Sequence, residues 1–387
     1  MLKTLAIAHY RSLRDLVVPL DRLNVVTGAN GSGKSNLYRA LRLLALTAQG
    51  RVTGSLAREG GLESALWAGP ESFSPAMRKG EIPVQGGRRR ESVNLRLGFA
   101  GEEFGYAIDL GLPIPKTSAF AHDPEIKREC IWAGPVYRPA AVLVDRHGPL
   151  VRVRAGRGEW DEVSRHLASF DSVFTQLADP HRAPEVLTLR DQIRSWRFYD
   201  HFRTDPEAPA RQSQVGTYTP VLDDDGRDLA AALQTIREIG DAAALDEAIA
   251  DAFPGSSLTV NFDRGRFAIE MRQHGLLRAL AAPELSDGTL RYLLLIAVML
   301  TPRPPQLMVF NEPETSLHPD LLPALARLIA KAAAQSQVWV VSHSQQLVAS
   351  LEEQAGCNLI VLDKKLGETV IRGSGVLDTP SWTWPTR

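Results

Sequence analysis

The sequence predicts an α/β fold in which a mixed N-terminal sheet and a parallel core sheet are separated by a helical insertion. The first residues are predicted to form strands followed by a glycine-rich loop and a helix, and the residue pattern in the middle of the chain favours helices. From residue 285 onward, helix and strand alternate, which is typical of a parallel sheet. We expect an N-terminal lobe over 1–155, a helical insertion over 156–255 and a C-terminal lobe over 256–387.

The N-terminal lobe contains a phosphate-binding loop. Residues 28–35, GANGSGKS, match G-x-x-x-x-G-K-[ST] between an apolar strand and a helix-like run. Glycines let the backbone close around phosphate oxygens, and the helix N-terminus points amide donors at the anion. Lys34 is expected to reach the β- and γ-phosphates, and Ser35 to hold Mg²⁺. The expected nucleotide contacts are Asn30, Gly31, Ser32, Gly33, Lys34, Ser35 and Asn36.

The rest of the chain is predicted from its periodicity. Ser92 to Leu110 alternates apolar and polar residues, which predicts an antiparallel pair, and Ser257 to Met271 predicts a hairpin. Asp161 to about Asp251 carries Ala, Leu, Arg and Glu runs cut by prolines, which predicts helices. No a/d heptads persist there, so any coiled-coil arm is short. The tail, Ser381 to Arg387, holds two tryptophans and is either a disordered end or a docking peg.

Two further motifs lie in the C-terminal lobe. Leu307 to Phe310 is an apolar run that reads as a buried parallel strand, and Glu312 follows it. Because the chemistry of open α/β sheets lies beyond the carboxyl ends of strands, Glu312 is the candidate general base. Before this strand, Ser286 can cap an apolar helix, and Gly288 allows close backbone approach. Taken alone, this second motif is an ordinary helix N-cap.

Together, these motifs resemble the heads of ABC-type ATPases. Their order is Walker A, a long insertion, L-S-x-G, an apolar strand running into N-E-P-E-T-S-L-H-P, and a strand that ends in Ser342 and His343. Within that class the chain resembles the RecF-like and SMC-like branch, and specifically the stand-alone AAA-type ATPases. The stretch HYRSLRD over 9–15 agrees, as does DGRDLA over 225–230, in which Asp228 replaces the usual Asn.

The resemblance implies a role for each motif. Ser286 and Gly288 would contact the γ-phosphate of ATP held by a second subunit, so that two copies bind two ATP molecules head to tail. Glu312 would be the catalytic glutamate, and His343 the switch histidine that senses the γ-phosphate. Gln176 is the candidate for the Q-loop glutamine near the metal, with a solvent-facing helix residue as the alternative.

One position departs from the family pattern. Asn311 stands where the Walker B aspartate is usual. Its amide oxygen can accept from a magnesium-bound water but brings no negative charge, so the metal should be held less tightly. Glu312 and Glu314 could compensate. We therefore interpret Asn311 as a tolerated variant of an active ATPase.

Composition limits the partners and the compartment. The chain has 44 Lys and Arg against 45 Asp and Glu, which is not the footprint of a strongly basic nucleic-acid binder. Two groups of arginines could still meet double-stranded DNA or simply form solvated faces: Arg88, Arg89 and Arg90, and Arg146, Arg152, Arg154 and Arg157. The first residues lack an apolar signal region and no apolar run is long enough to span a bilayer, so we expect a cytoplasmic protein away from the membrane.

Three functions compete at this point. The first is an ATP-hydrolysing RecF-like ATPase that dimerises on ATP and acts in DNA maintenance and repair or in anti-phage defence, with DNA or an effector protein held by the insertion. The second is a nucleotide-dependent assembly switch with little turnover. The third, the ATPase subunit of a transporter, is disfavoured by the length of the insertion between the motifs.

Overall fold

The computed structural model describes residues 1–86, 93–113, 118–155, 158–373, 375 and 379–386. The strands are β1 (Leu2–Tyr10), β2 (Leu13–Pro19), β3 (Leu23–Gly28), β4 (Leu95–Gly101), β5 (Phe104–Gly111), β6 (Glu125–Ala133), β7 (Val142–His147), β8 (Leu150–Arg154), β9 (Trp160–Ser164), β10 (Arg197–Tyr199), β11 (Gln214–Val215), β12 (Ser257–Asp263), β13 (Arg266–Arg272), β14 (Leu280–Ala281), β15 (Leu307–Asn311), β16 (Gln337–Val341), β17 (Cys357–Lys365) and β18 (Glu368–Ile371). The helices are α1 (Lys34–Thr47), α2 (Val52–Arg58), α3 (Leu62–Ala65), α4 (Pro75–Arg78), α5 (Val173–Gln176), α6 (Pro184–Ser195), α7 (Leu229–Ile239), α8 (Ala242–Ala252), α9 (Asp287–Met299), α10 (Leu322–Ala333) and α11 (Gln345–Glu352).

The chain forms two compact units that interleave in sequence. Unit 1 comprises Met1–Asp21, Gly28–Ser195 and Ile360–Arg387, and unit 2 comprises Arg22–Thr27 and Trp196–Leu359. Neither boundary expected from the sequence, at 155 or at 255, coincides with a boundary between these units. The segment 156–255, expected to be helical, contains α5 to α8 together with β9, β10 and β11.

Unit 1 is built on an eight-stranded antiparallel sheet in the order β2-β1-β4-β5-β6-β7-β8-β9. The pair β4 and β5, with Phe99 opposite Tyr106, is the antiparallel pair that alternation predicts. Helix α1 contacts β1 and β4, and its buried residues Leu37, Leu41 and Leu44 fall on one helical face. The sheet and this helix form the frame on which the phosphate loop is mounted.

The C-terminal tail docks on the sheet of unit 1. The Trp382 ring lies 5.7 Å from the Trp132 ring and 5.3 Å from the Trp384 ring, measured between centroids. Gly98 makes this possible, since a Cβ built there would lie 2.7 Å from the Trp382 ring. Of the two readings that the sequence leaves open for this segment, the docking peg is the one observed.

Unit 2 is built on a parallel sheet in which β10, β15, β16 and β3 are neighbours in that order. Val338 of β16 lies between Met308 of β15 and Leu23 of β3, and all three side chains are buried. These strands read as nearly continuous apolar runs because helices cover a parallel sheet on both faces. The strands expected to form one mixed N-terminal sheet therefore separate: β1 and β2 pair antiparallel in unit 1, while β3 joins the parallel sheet.

The other elements of unit 2 enclose this sheet. Helix α9 is buried along nearly its whole length, which explains why its sequence has no polar face. The hairpin predicted over Ser257 to Met271 is present as β12 and β13, to which β11 and β14 add short strands. Strand β17 begins in unit 2 and continues into unit 1, where it pairs with β18. Among the described helices, none is both long and apolar enough to cross a bilayer.

Candidate nucleotide site

The phosphate loop lies in unit 1, directly after β3. Three of its residues adopt positive φ angles that favour glycine, namely Gly28 (146°), Gly31 (80°) and Gly33 (110°). A Cβ at Gly33 would collide with the side chain of Thr369, whereas Gly31 has open space around it. The loop is therefore packed tightly on its support and open at its outer face, where Asn30 is also exposed.

The helix that follows the loop offers a positive end to an anion. Helix α1 begins at Lys34 with no side-chain cap and no acidic residue in its first turn, so its first amides remain available. The Lys34 ammonium is buried and donates to the carbonyl oxygens of Gly28 (2.6 Å) and Ala29 (3.3 Å). Ser35 is exposed, and the Ser32 hydroxyl is buried without a hydrogen-bond partner. These groups fit a bound triphosphate and its Mg²⁺.

A chain of hydrogen bonds supports the loop from behind. The Asn36 amide donates to the Ser12 hydroxyl (2.8 Å), which lies 2.7 Å from the Thr369 hydroxyl, and Thr369 donates to the Ser32 carbonyl (2.8 Å). Asn36, expected as a nucleotide contact, thus acts as a support in this structure. Ser12 lies in the HYRSLRD stretch, but no sequence signal identifies Thr369, which is 337 residues from Ser32.

The candidate catalytic group lies in unit 2 at the carboxyl end of β15. Asn311 ends the strand opposite Val341. Glu312 follows with a left-handed backbone (φ 51°), and its amide N–H donates a hydrogen bond to the Val341 carbonyl (2.8 Å). A non-glycine residue in this region stores strain of about 1–3 kcal/mol, and such strain clusters at functional sites. The Glu312 carboxylate remains 45% exposed and can reach a water molecule.

His343 lies beside two carboxylates. Its Nδ1 atom is 3.4 Å from Glu312 Oε1 and 3.5 Å from Glu314 Oε1. The proximity of His343 to Glu312 places the two predicted catalytic residues together, as expected for side chains that follow neighbouring parallel strands. The histidine side chain is 55% exposed, so it faces an open site.

Glu314 acts differently from the expectation that it could replace a missing metal charge. Its carboxylate is buried, and Oε1 accepts hydrogen bonds from the Ser342 hydroxyl (2.6 Å), the His343 amide (3.1 Å) and the Ser344 amide (3.2 Å). Oε2 is buried without a hydrogen-bond partner. Glu314 therefore holds the turn that presents His343. The sequence placed this residue near the site but gave no sign of this function.

Ser286 and Gly288 of the L-S-x-G motif, called the signature below, lie at the start of α9. The Ser286 hydroxyl accepts from the Thr289 amide (3.1 Å), as an N-cap does, and a Cβ at Gly288 would lie 3.1 Å from the Ser316 carbonyl oxygen. Further along this helix, buried Arg291 lies 2.8 Å from His201 Nδ1 and donates to the Glu312 carbonyl (3.3 Å). Burial lowers the pKa of Arg291. Helix α9 thus connects the signature to the backbone of the candidate base.

Gln176 does not lie near the phosphate loop. It is exposed at the end of α5, and its amide donates to the Asp171 carboxylate (3.2 Å). The neighbouring Thr175 lies against Gly50, which follows the far end of α1. Because α1 has 14 residues and a helix rises about 1.5 Å per residue, some 20 Å of helix separates this place from Ser35. The expectation that Gln176 contacts the metal is therefore corrected: it is a solvent-facing helix residue, as the alternative interpretation held.

Of the arginines considered for DNA contact, those that the structure describes are engaged within the protein. Arg88, Arg89, Arg90 and Arg157 lie outside the described residues. Arg146 is fully buried and paired with Glu129 at 2.8 Å, so it cannot reach DNA. Arg152 pairs with Asp145 (3.1 Å), and Arg154 lies 4.3 Å from the centre of the Trp160 ring.

Solved structures that resemble this chain include heads of SMC proteins. One is an SMC head bound to the C-winged helix domain of ScpA, 15% identical over 96% of this chain and 97% of that chain, with a TM-score of 0.49. Another is the SMC head domain from Thermotoga maritima, 14% identical over 97% and 99%, with a TM-score of 0.46. A third, from Pyrococcus furiosus and bound to the C-terminal domain of ScpA, is 14% identical over 96% and 95%, with a TM-score of 0.46. No curated protein matches the chain.

A family model extends over both the phosphate loop and the C-terminal motifs. The family described as "AAA domain, putative AbiEii toxin, Type IV TA system" matches residues 23–349, which is most of the chain. The α/β fold expected from the sequence is thereby confirmed as a P-loop NTPase fold. This fold indicates nucleotide-dependent ATPase activity and nucleotide binding, typically with Mg²⁺. By this match, the chain belongs to the AAA-domain family.

Proposed function

We propose that this protein is a RecF-like ATPase that hydrolyses ATP and whose two copies engage head to tail when ATP is bound. The observation that carries the proposal is the pair formed by Glu312 and His343, whose side chains lie 3.4 Å apart at the end of the parallel sheet. Strand β3 is a parallel neighbour of β16, and the phosphate loop follows β3 without a break. The order of the motifs along the chain, a phosphate loop followed by Glu312 and then His343, also supports ATP hydrolysis.

In this proposal, different residues of the chain bind the phosphates, activate the water and sense the γ-phosphate. Lys34 and the first amides of α1 would bind the β- and γ-phosphates, and Ser35 and Asn311 would hold Mg²⁺. Mg²⁺, when bound, neutralises charge on these phosphates. Glu312 orients the attacking water and accepts its proton as the water oxygen bonds to the γ-phosphorus and ADP leaves. His343 donates a hydrogen bond to the γ-phosphate. Glu314 keeps His343 in place through its bonds to the turn at 342–344.

In this proposal, the signature is the part of each copy that binds the other copy. Ser286 and Gly288 of one copy contact the γ-phosphate of ATP bound to the other copy, and hydrolysis releases the pair. The family description names a putative toxin of a type IV toxin–antitoxin system. That description favours a cytoplasmic role in defence over one in DNA repair. An effector protein would then carry out the toxic or nucleolytic step, and double-stranded DNA is the candidate stimulus.

One specific observation favours a second candidate, an assembly switch with little turnover. Asn311 is neutral where a metal-facing carboxylate is usual, and Glu314 is already committed to the turn at 342–344. Weak binding of Mg²⁺ would lower the rate of hydrolysis more than it lowers the affinity for ATP. ATP would then mainly control assembly, and the dimer would persist.

The test is steady-state ATP hydrolysis by the full chain and by Glu312→Gln and Lys34→Ala variants, each with and without double-stranded DNA. We expect turnover in the parent, loss of turnover with retained ATP binding in Glu312→Gln, and loss of ATP binding in Lys34→Ala. The Glu312→Gln variant should also form an ATP-dependent dimer, measured by light scattering after size exclusion. Tight ATP binding without turnover in the parent would favour the switch. A Glu312→Gln variant that stays monomeric in saturating ATP would contradict the dimer mechanism.

A further inference from the structure

We propose that Arg211 is a positioning residue for the signature loop. In this proposal its guanidinium fixes the backbone before Ser286 and neutralises Asp287, so that the loop can approach the triphosphate held by a second copy. The inference rests on the proposed function, because it assumes that the signature meets an ATP phosphate. It goes beyond that function because it identifies the residue that allows a signature containing Asp287 to contact a negatively charged phosphate.

The guanidinium of Arg211 is buried and makes hydrogen bonds in three directions. Its Nε donates to the carbonyl oxygens of Thr204 (2.9 Å) and Asp205 (3.1 Å). Its Nη1 reaches three carbonyl oxygens that precede the signature serine, those of Ala282 (3.1 Å), Pro283 (3.3 Å) and Leu285 (2.7 Å). Its Nη2 donates to the Asp287 carboxylate at 2.6 Å. Arg211 therefore links a loop near residue 205 to both sides of Ser286.

These contacts fall where the backbone needs a donor. Ala282–Glu284 form a short 3₁₀ helix in which the Ala282 carbonyl accepts from the Leu285 amide (3.3 Å), whereas the later carbonyls of such a helix have no partner inside it. Arg211 supplies N–H donors to the carbonyls of Ala282, Pro283 and Leu285, and Ser286, two residues after the 3₁₀ helix, is the N-cap of α9. A planar guanidinium with five donors can satisfy so many acceptors at once, whereas a lysine ammonium offers only three. The direction in which Ser286 points is thus fixed by a residue 75 positions earlier in the chain.

The charge of Asp287 gives this contact a functional meaning. The Asp287 side chain is 62% exposed beside Ser286, so its carboxylate would face any phosphate that Ser286 contacts. Like charges brought together at an interface repel each other, and the repulsion grows as water leaves the contact. The ion pair with Arg211 makes this position neutral. An aspartate in the first turn of a helix stabilises the helix through its dipole. Asp287 can therefore stabilise α9 while Arg211 neutralises the repulsion between Asp287 and the phosphate.

The experiment measures ATP-dependent dimerisation in the full chain carrying Glu312→Gln, which keeps ATP intact. Arg211→Met, Asp287→Asn and the double variant are compared in that background by sedimentation at several protein concentrations. Binding of a fluorescent ATP analogue to the monomer is measured separately. Arg327→Met is the matched control, because it removes an arginine paired with Asp251 from the same unit without touching the signature.

We expect Arg211→Met to weaken dimerisation about tenfold or more, since it leaves Asp287 unpaired against phosphate. Asp287→Asn in the double variant should recover at least about threefold of that loss, because the part due to charge is removed. Monomer binding of the ATP analogue should change less than about twofold, and Arg327→Met should behave as the parent. Asp287→Asn alone should dimerise several-fold more tightly, as the Arg211 charge is no longer cancelled.

The single Asp287→Asn variant keeps the test open even if Arg211→Met does not fold. If Asp287→Asn alone fails to tighten the dimer, Asp287 does not face a phosphate and the inference is overturned. The same holds if the double variant is as weak as Arg211→Met, since Arg211 would then be only structural. A Glu312→Gln parent that does not dimerise would overturn the proposed function itself, and this inference with it. Failure at the parent and failure at the variants are therefore distinguishable.

Discussion

The buried carboxylate of Glu314 permits a prediction whose size can be worked from its contacts. Glu314→Ala removes an acceptor shared by three donors, of which the Ser342 hydroxyl is fully buried and closest at 2.6 Å. A hydrogen bond to a charged group contributes about 1.5–3 kcal/mol, and the longer bonds to the His343 and Ser344 amides add about 1 kcal/mol together. Removing Oε2, which has no hydrogen-bond partner, returns about 1 kcal/mol of desolvation cost. The net loss is about 2 kcal/mol.

This loss should be visible in two measurements. For a unit of this size, 1 kcal/mol corresponds to about 2–4 °C, so the melting temperature of unit 2 should fall by about 4–8 °C. ATP turnover should fall at least about tenfold because His343 is no longer held, whereas the dissociation constant for ATP should change little. Thermal unfolding followed by circular dichroism and single-turnover hydrolysis supply the two readouts.

Two substitutions serve as controls for this prediction. Glu314→Gln keeps an oxygen that can accept from the same donors, but its amide nitrogen replaces the unpartnered Oε2, so a smaller loss is expected. Glu353→Ala removes an exposed glutamate next to the end of α11, where a negative charge is not favoured, and should leave stability and turnover unchanged. A Glu314→Ala variant that melts within about 1 °C of the parent and turns over at the parental rate would refute the reasoning.

Two further predictions follow from the metal-facing position and from the tail. Asn311→Asp should lower the Mg²⁺ concentration needed for half-maximal ATP hydrolysis several-fold, because it adds a carboxylate charge where the metal is expected; a Mg²⁺ titration that is unchanged would show that this position does not face the metal. Trp382→Ala should destabilise unit 1 by about 1–3 kcal/mol through loss of packing against Trp132, measured by urea unfolding; an unchanged midpoint would mean that the docked tail contributes nothing to stability.

Local patterns were sufficient to predict the motifs of the site. The phosphate loop, the strand before Glu312 and the N-cap at Ser286 each depend on neighbours within a few residues, and the structure places them at a strand end or a helix start. Glu312 and His343 could be expected to meet because residues that follow adjacent parallel strands share one sheet edge. Which strands are adjacent is not written locally, so the departure of β3 from its N-terminal neighbours could not be anticipated.

The residues that support the site could not be predicted from the sequence, for the same physical reason. Thr369 and Arg211 act through contacts with residues far away in the chain, and neither belongs to a spacing pattern. The Gln176 interpretation disagrees with the structure because a single glutamine carries no information on its distance from the phosphate loop, whereas the length of α1 does. The docking of Trp382 depends on the space left by Gly98 on another strand, which composition alone cannot reveal.

The interleaving of the two units has a consequence for biosynthesis. The partner of β3, β16, is made more than 300 residues after it, as the pairing of Leu23 with Val338 requires. At about 5–20 residues per second, the ribosome needs roughly 15–60 s to supply that partner. During this time an apolar strand that contains Val25 and Val26 has no sheet to join. Thr369 emerges later still, so the phosphate loop gains its support only after β16 has been made, and the nascent chain should depend on chaperones until then.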